Sequence, residues 1–448
     1  MPDTQPHIAI SNPASKISSR KYAWNVLWSL TEKGLRIVAQ LGVGIWVARY
    51  LQPERFGTLQ YSLSFVMIIG SFGSLGLLEI VMRDLINQSQ EKMRRIMGTG
   101  LVLRLAGALV AMIVINLLAG LTTSGSDIQF YILILSVGRL VSSFDLLQAY
   151  FKAKVKVRKI AIAQFWSLMV FSGLKIFLVV NEAPLEHFIY VYGLDGLISG
   201  LILLGFLRKD GLSLSRLTFQ KDLAHKLLRN SLPLMMSAVM IQLYGRIDQV
   251  LIGIFIDETA VGYYGTAARL FDAWNFLPVA ICGALFPAIM NQIDDQDKLY
   301  KRLTALYSVN LYIGLGIALG MFLFANWLVG GFFGEAYLPA VPALRVLTFS
   351  IVATFLGVAT EQYLIAQNLT RISLLRTLLG AVLNILLNLF MIPAWGIEGA
   401  AYATIISYYS GIVLALGLFS STRPQLMLLV RSLNPSHAIQ LILEKRKG

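Results

Sequence analysis

Thirteen ionisable side chains stand deep inside apolar stretches of this sequence, and they are the residues with chemistry to offer. Eight are basic: Lys33, Arg36, Arg104, Arg139, Lys175, Arg246, Arg269 and Arg376. Five are acidic: Glu32, Asp145, Asp195, Asp248 and Asp272. A charge at the centre of a membrane helix costs roughly 2.5–3.5 kcal/mol, so the whole set facing lipid would cost on the order of 33–45 kcal/mol. That exceeds what a typical fold holds in reserve. Most of these groups must therefore face one another or a wet interior. The excess is positive, which suits an anionic solute. Phosphate and diphosphate match the fork of Arg and the point charge of Lys, whereas organic cations call for acidic or neutral aromatic walls.

Helical spacing says which way the charges point. Asn25, Ser29, Glu32, Arg36 and Gln40 fall at steps of three or four and form one polar stripe, on which Glu32 and Arg36 can pair. Gln242, Arg246 and Gln249 share a face, with Asp248 turned about 160° from Arg246. Gly265, Arg269, Asp272 and Asn275 form a further stripe, as do Tyr192, Asp195 and Ser199, and Gly138, Ser142 and Asp145 with Arg139 beside them. Two readings stand for several of these groups. Glu32–Arg36 and Arg269–Asp272 are either ion pairs that lock helices or parts of a cavity wall. Arg104 and Arg376 either snorkel toward the nearer membrane face or stay inside. Asp248 either serves transport or pairs with a neighbouring helix. Arg139, Arg246 and Lys175 have no acid one turn away, which favours a cavity role. Arg36, Arg139, Lys175, Arg246 and Arg269 are thus expected to bind substrate, and Asp145, Asp195 and Asp248 to couple an ion or gate.

Other chemistry finds little support. Cys282 is the only cysteine, and His7, His187, His225 and His437 match no metal spacing, so neither a metal nor a cofactor is expected. There is no GxxxxGK(S/T), no GxGxxG after a strand, no HExxH and no GxSxG. Energy for any transport must come from an ion gradient, from substrate supply or from a partner, and an enzyme is not expected.

The elements that carry these charges are membrane helices. The chain is 56% hydrophobic and only 14% charged, with mean hydropathy +0.67; soluble domains carry about 25% charged residues. Twelve apolar runs are long enough to span a bilayer: 22–50, 57–81, 98–120, 128–150, 160–181, 186–207, 230–256, 262–290, 303–328, 341–366, 372–393 and 399–420. With the N-terminus inside, most of the 38 Lys and Arg fall in inner segments, and the outer loops hold only Arg49 and Arg55. This positive-inside pattern explains the net charge of +14 without nucleic acid. It places both termini in the cytoplasm.

The stretch from Asn230 to Pro287 organises the rest. It reads as a helical hairpin with charges in both arms, and shifting by 205 residues lays Phe56–Ser62 on Val261–Ala267. A shift of 213 lays Tyr150, Ala153, Arg158 and Phe177 on Tyr363, Ala366, Arg371 and Phe390. The expected architecture is all-α: two six-helix bundles, 22–207 and 230–420, related as a parallel repeat. A cytoplasmic tail (1–21), a basic connector (208–229) and a basic cytoplasmic tail (421–448) complete it.

Several runs resemble the polysaccharide-transport branch of the multidrug/oligosaccharidyl-lipid/polysaccharide exporter superfamily. They are GVGIWVARYLQPERFGTLQYSLSFV, LGLLEIVMRDL, NSLPLMMSAV, GRIDQVLIG, AVGYYGTAARL, EQYLIAQNLTRISLL and NILLNLFMIPAWGIEGAAYATIISYY. The resemblance covers about 20–420 and implies a Wzx-type flippase. It implies two bundles arranged as a V around a cationic cavity, and alternating access. It implies a polyprenyl-diphosphate-linked oligosaccharide, an O-antigen, capsule or exopolysaccharide unit, as substrate. Arg246 and Asp248 of GRID and Arg269 of AARL carry over best. The expected location is a bacterial inner membrane. Membrane lipids are expected partners, with a polymerase and glycosyltransferases of the same pathway as further candidates. Two alternatives remain open: a cation-coupled small-molecule exporter of the same superfamily, and a non-transporting scaffold of a glycan synthesis complex.

Overall fold

The computed structural model describes residues 19–123, 125–290, 295–367 and 369–434, with side chains from residue 39 onward apart from a handful of positions. The tail before residue 19, the end of the C-terminal tail from 435, and the side chains of Glu32, Lys33 and Arg36 lie outside the described residues. Among the described residues every regular element is helical. The first half holds α1 (Ser19–Gly73), α2 (Leu77–Leu85), α3 (Gln90–Thr122), α4 (Ser126–Ser142), α5 (Leu147–Ala153), α6 (Val157–Val180), α7 (Leu185–Gly193) and α8 (Leu197–Lys209). The second holds α9 (Lys221–Phe255), α10 (Glu258–Asp272), α11 (Phe276–Met290), α12 (Gln296–Leu323), α13 (Ala325–Phe332), α14 (Val341–Ala366), α15 (Thr370–Leu418) and α16 (Arg423–Arg431).

Ten stretches among the described residues are long and apolar enough to cross a bilayer. Two of them, Ala39–Leu85 and Arg371–Leu418, run for 47 and 48 residues. A straight helix of that length is about 70 Å, against a hydrocarbon core of about 30 Å. Each contains a break. Gln52 takes φ 63° before Pro53, and Gly396 takes φ 61° after Trp395. The chain reverses at both. Gly399 packs on the carbonyl of Met391, which a straight helix would hold about 12 Å away. Gly44 meets the Arg269 side chain and Gln60 meets Gly265; along a straight helix 44 and 60 would be about 24 Å apart, while 265 and 269 are one turn apart. With each long stretch counted as a hairpin, the ten candidate spans among the described residues are compatible with the twelve apolar runs.

Four crossings are interrupted. Turns at 74–76, Ser143–Leu146, 194–196 and 273–275 separate α1 from α2, α4 from α5, α7 from α8 and α10 from α11. Irregular backbone survives at membrane depth only where protein or a wet cavity covers it. Asp145 and Asp195 stand at two of these turns, each just ahead of a helix N-terminus, whose positive dipole end favours a carboxylate; Asp272 is instead the last residue of α10. Helical periodicity puts these acids on faces; the structure puts them at ends.

The halves meet chiefly where α1, α2 and α3 pack on α9 and α10. The contact at the face opposite the connector obeys the 205-residue shift. Gly57 lies against Gly262, its equivalent, and Gln60 against Gly265, its equivalent. Ser64 donates to Gln249 Oε1 at 2.7 Å, and the equivalent pair, Arg269 and Gly44, are also in contact. These are the contacts of a pseudo-two-fold axis. Only glycine fits at its centre, because a Cβ on Gly57 would run into the Glu258 carbonyl, and one on Gly262 into that of Pro53.

At the opposite face the connector is tied to the first half. Leu212 is buried there with Leu207 and Leu227, and the Gln220 amide donates to Thr99 Oγ1 at 3.0 Å. Asp210 accepts from Lys156 (2.9 Å) and Lys159 (2.8 Å). Burial pushes the Asp210 carboxyl up, but the hydrogen bonds and charges of Lys159 and Lys156 outweigh it and hold it below the usual carboxylate value.

Candidate functional site

A cavity of about 500 Å³ opens beside the interrupted sixth crossing. The first arm of α1 supplies Gln40 and Gly44, α6 supplies Lys175, and α7 with its following turn supplies Tyr192 and Asp195. Arg269 reaches in from α10 of the other half. Gly44 makes this possible: the Arg269 guanidinium lies where a side chain at 44 would be.

Among the described residues neither cation is bound to a carboxylate. Lys175 Nζ stands 3.9 Å from the centre of the Tyr192 ring, and Arg269 Cζ is 5.1 Å from that of Phe56. A ring face returns about 0.5–2 kcal/mol to a cation, so both charges stay available to an anion. Asp195 is exposed to the same space and makes no ion pair within 4 Å among the described residues. The cavity thus holds two positive groups and one negative.

The other expected site residues fall elsewhere. Asp145 is held by Arg104 through two bonds, from Nε at 3.2 Å and Nη2 at 3.0 Å, and Arg104 Nη1 also donates to the Gly73 carbonyl at 2.7 Å. Of the two readings for Arg104, the inward one holds: it does not snorkel. Arg139 lies against Gly70 beside this pair. Arg246 is half-buried on α9, within electrostatic reach of Asp272 and, among the described residues, in no ion pair within 4 Å. Asp272 bonds to Asn275 at 3.0 Å rather than to Arg269. Asp248 faces away from the cavity. It is buried, accepts a short hydrogen bond from Tyr264, and accepts the Gln249 amide at 2.9 Å; Tyr264 is 3.4 Å from Thr404 Oγ1. Arg376 is also held inside, by Glu361 at 2.6 Å and the Gly357 carbonyl at 3.0 Å. The Arg36 side chain lies outside the described residues, and no group of His, Cys, Asp and Glu that could hold a metal occurs among them.

Spacing along one helix cannot show these partnerships, because Arg104 and Asp145 are 41 residues apart and Arg376 and Glu361 are 15 apart across a turn. The roles of Tyr192 and Phe56 as ring faces for cations were not visible either, whereas Glu361, inside the apolar run 341–366, was a signal passed over. A signal for Tyr192 did exist in its stripe with Asp195.

Residues 46–342 match the pattern of a family described as polysaccharide biosynthesis protein, two thirds of the chain. The chain belongs to the polysaccharide biosynthesis protein family. Among curated relatives of this family member, the probable low-salt glycan biosynthesis flippase Agl15 of Haloferax volcanii is 24% identical over 301 residues, which is 66% of this chain and 62% of the relative. The probable flippase AglR of the same organism is 32% identical over 180 residues, 39% of this chain and 37% of the relative. The matches therefore span less than two thirds of either relative. Among solved structures, the lipid II flippase MurJ in an inward closed conformation is similar with TM-score 0.71 at 15% identity, over 91% of both chains. An inward-facing multidrug resistance MATE family transporter of the MOP superfamily follows with TM-score 0.64 at 16% identity, over 87% of this chain and 95% of that one. At such identities the likeness is one of fold: this polysaccharide biosynthesis protein has the fold of MOP superfamily transporters.

Proposed function

We propose that this protein is a flippase that carries a polyprenyl-diphosphate-linked oligosaccharide from the inner to the outer leaflet by alternating access. The observation that carries the reading is the pair Lys175 and Arg269. They face one cavity from opposite halves, each lies on an aromatic ring, and among the described residues neither is neutralised by a carboxylate. A diphosphate between them would be gripped by both halves at once. Arg139 and Arg246 form a second, half-buried rank of positive charge along the route, and Asp195 is the carboxylate placed to couple the cavity to an ion gradient. The two Haloferax volcanii relatives, described as probable flippases, support the same activity, and the first, described as a glycan biosynthesis flippase, widens the cargo from O-antigen, capsule or exopolysaccharide to glycans at large. In this reading the connector face is cytoplasmic and both termini lie on that side.

The test is reconstitution. Protein in liposomes is given a fluorescent polyprenyl-diphosphate disaccharide, and its arrival in the far leaflet is followed by an added glycosidase. Wild type should flip it. Lys175→Met with Arg269→Met should not, while the protein elutes as wild type in gel filtration. Transport of an organic cation dye in place of the lipid would overturn the reading in favour of a small-molecule exporter. Unimpaired flipping by the double variant would remove the cation pair from the mechanism.

A further inference from the structure

A second cavity, of about 350 Å³, lies within the second half, between α9, α14 and the two arms of α15. We propose that it is a subsite for one uncharged sugar ring of the glycan, separate from the cationic cavity that takes the diphosphate. The proposal rests on the flippase reading and adds a division of labour between the halves.

The internal repeat relates the two cavities. Gln164, Asp195 and Ser199 line the first, and the residues 213 further on, Thr377, Tyr408 and Ile412, line the second. Equivalent places have taken opposite chemistry, a carboxylate in one half and an aromatic ring in the other. The second cavity is also neutral by construction. Its one cation, Arg376, is bound to Glu361 and to the Gly357 carbonyl, and Glu361 also accepts from Ser373. A phosphate entering here would have to break a partly buried ion pair. A hydroxyl would not: it can use the remaining N–H groups of the guanidinium and the spare lone pairs of the carboxylate.

The remaining wall is largely aliphatic and carries two aromatic rings, Tyr244 and Tyr408. Tyr244 and Tyr408 have ring centres 4.6 Å apart, and Phe271 extends the cluster at 6.2 Å from Tyr408. Ring faces that carry partial negative charge meet the C–H face of a pyranose, while a few fixed polar groups read its hydroxyls. The volume is at the lower end for a ligand pocket, which suits a single ring rather than a whole repeat unit. Arg376 and Glu361 stand about a turn and a half from the connector-face ends of α15 and α14, so the ring would dock near that face while the diphosphate reaches Arg269 further in.

Binding by the full-length protein in detergent tests this, with farnesyl diphosphate and the same lipid bearing one glucose, one N-acetylglucosamine or one glucuronate as probes. Wild type should bind the glucose or N-acetylglucosamine lipid about tenfold tighter than the bare lipid, with no gain for glucuronate. Tyr244→Leu with Tyr408→Leu should abolish that gain and leave the bare-lipid affinity unchanged. Lys175→Met should weaken every probe equally and keep the gain. Should the leucine pair fail to fold, Glu361→Leu with Arg376→Met, which removes both charges together, should lose the gain in the same way. A gain that persists in the folded variants, is absent from wild type, or occurs only with glucuronate overturns the sugar subsite and leaves the flippase reading standing. No binding of any of the four lipids overturns both.

Discussion

Gly57→Ala should shift the balance between the two access states rather than simply unfold the protein. The new Cβ would overlap the Glu258 carbonyl and lie 2.8 Å from the Gly262 nitrogen. Both obstacles are backbone, so no rotamer change relieves them, and α1 and α10 must part. Overpacking of this kind costs about 1–3 kcal/mol. The penalty applies only while the two halves are in contact at the face opposite the connector. A cost of that size therefore favours states open at that face by roughly 5- to 150-fold. Spin labels at Asp127→Cys and Glu335→Cys, both exposed positions of opposite halves, in a Cys282→Ser background would report the opening by their distance distribution. A longer-distance population should grow in Gly57→Ala and in Gly262→Ala. The double variant should shift it by less than the sum, because both methyl groups strain one contact. An unchanged distribution in a normally folded Gly57→Ala protein, or strict additivity in the double variant, would refute the reasoning.

Tyr264→Phe leaves the buried Asp248 without its hydroxyl donor and should cost about 1–3 kcal/mol of stability, read as a fall in Tm; a change in flipping rate with unchanged Tm would instead make Asp248 part of transport. Asp145→Asn strips Arg104 of its charge partner, and since Asp145 is 46% exposed the loss should fall at or below the roughly 3 kcal/mol lower bound for a buried pair, with Arg104→Met/Asp145→Leu recovering part of it. The Asp210 clamp has a depressed folded-state value, so its contribution is full above the ordinary carboxylate value of about 3.9 and is lost as pH falls through the lower folded one. Hydrogen exchange of the connector amides, corrected for intrinsic rates, should be flat from neutral pH to about 4, and Asp210→Asn should raise it throughout. Arg269→Met alone should weaken farnesyl diphosphate binding about 10- to 150-fold, the cost of one charge-assisted hydrogen bond. Ser215→Cys, in the connector, should be labelled only by reagents that reach the cytoplasmic side.

The parts of this molecule that lie along one helix were readable from its sequence, and the parts that lie between helices were not. Apolar runs mark the crossings because the bilayer punishes any interruption of them, and the 205-residue shift marks the central hairpins because equivalent residues touch there. Lys175 and Arg269 were legible as cavity groups because each is costly in lipid and has no acid one turn away, or only an alternative partner. Their meeting was not, since it depends on a glycine at 44 and on rings from two other segments. Asp195 was read as a mid-helix acid on a stripe. It sits at a helix break instead, and nothing in GLDGLISG distinguishes a break from a continuous turn except three glycines of a kind that other helices here tolerate.

The contact of Gly57 with Gly262 carries a statement about descent. Two residues related by an internal duplication touch each other, so in a six-crossing forebear that paired with a second copy of itself this glycine would have met its own image. Any mutation there would have struck both partners at once, doubling the selective cost of a side chain at one point in space. In a single chain each copy is free to change separately, yet both positions hold glycine. The cavities, by contrast, lie off the axis, where a change in one half never faced its own reflection. There the two halves differ, the Asp195 carboxylate of one standing where the other has the Tyr408 ring.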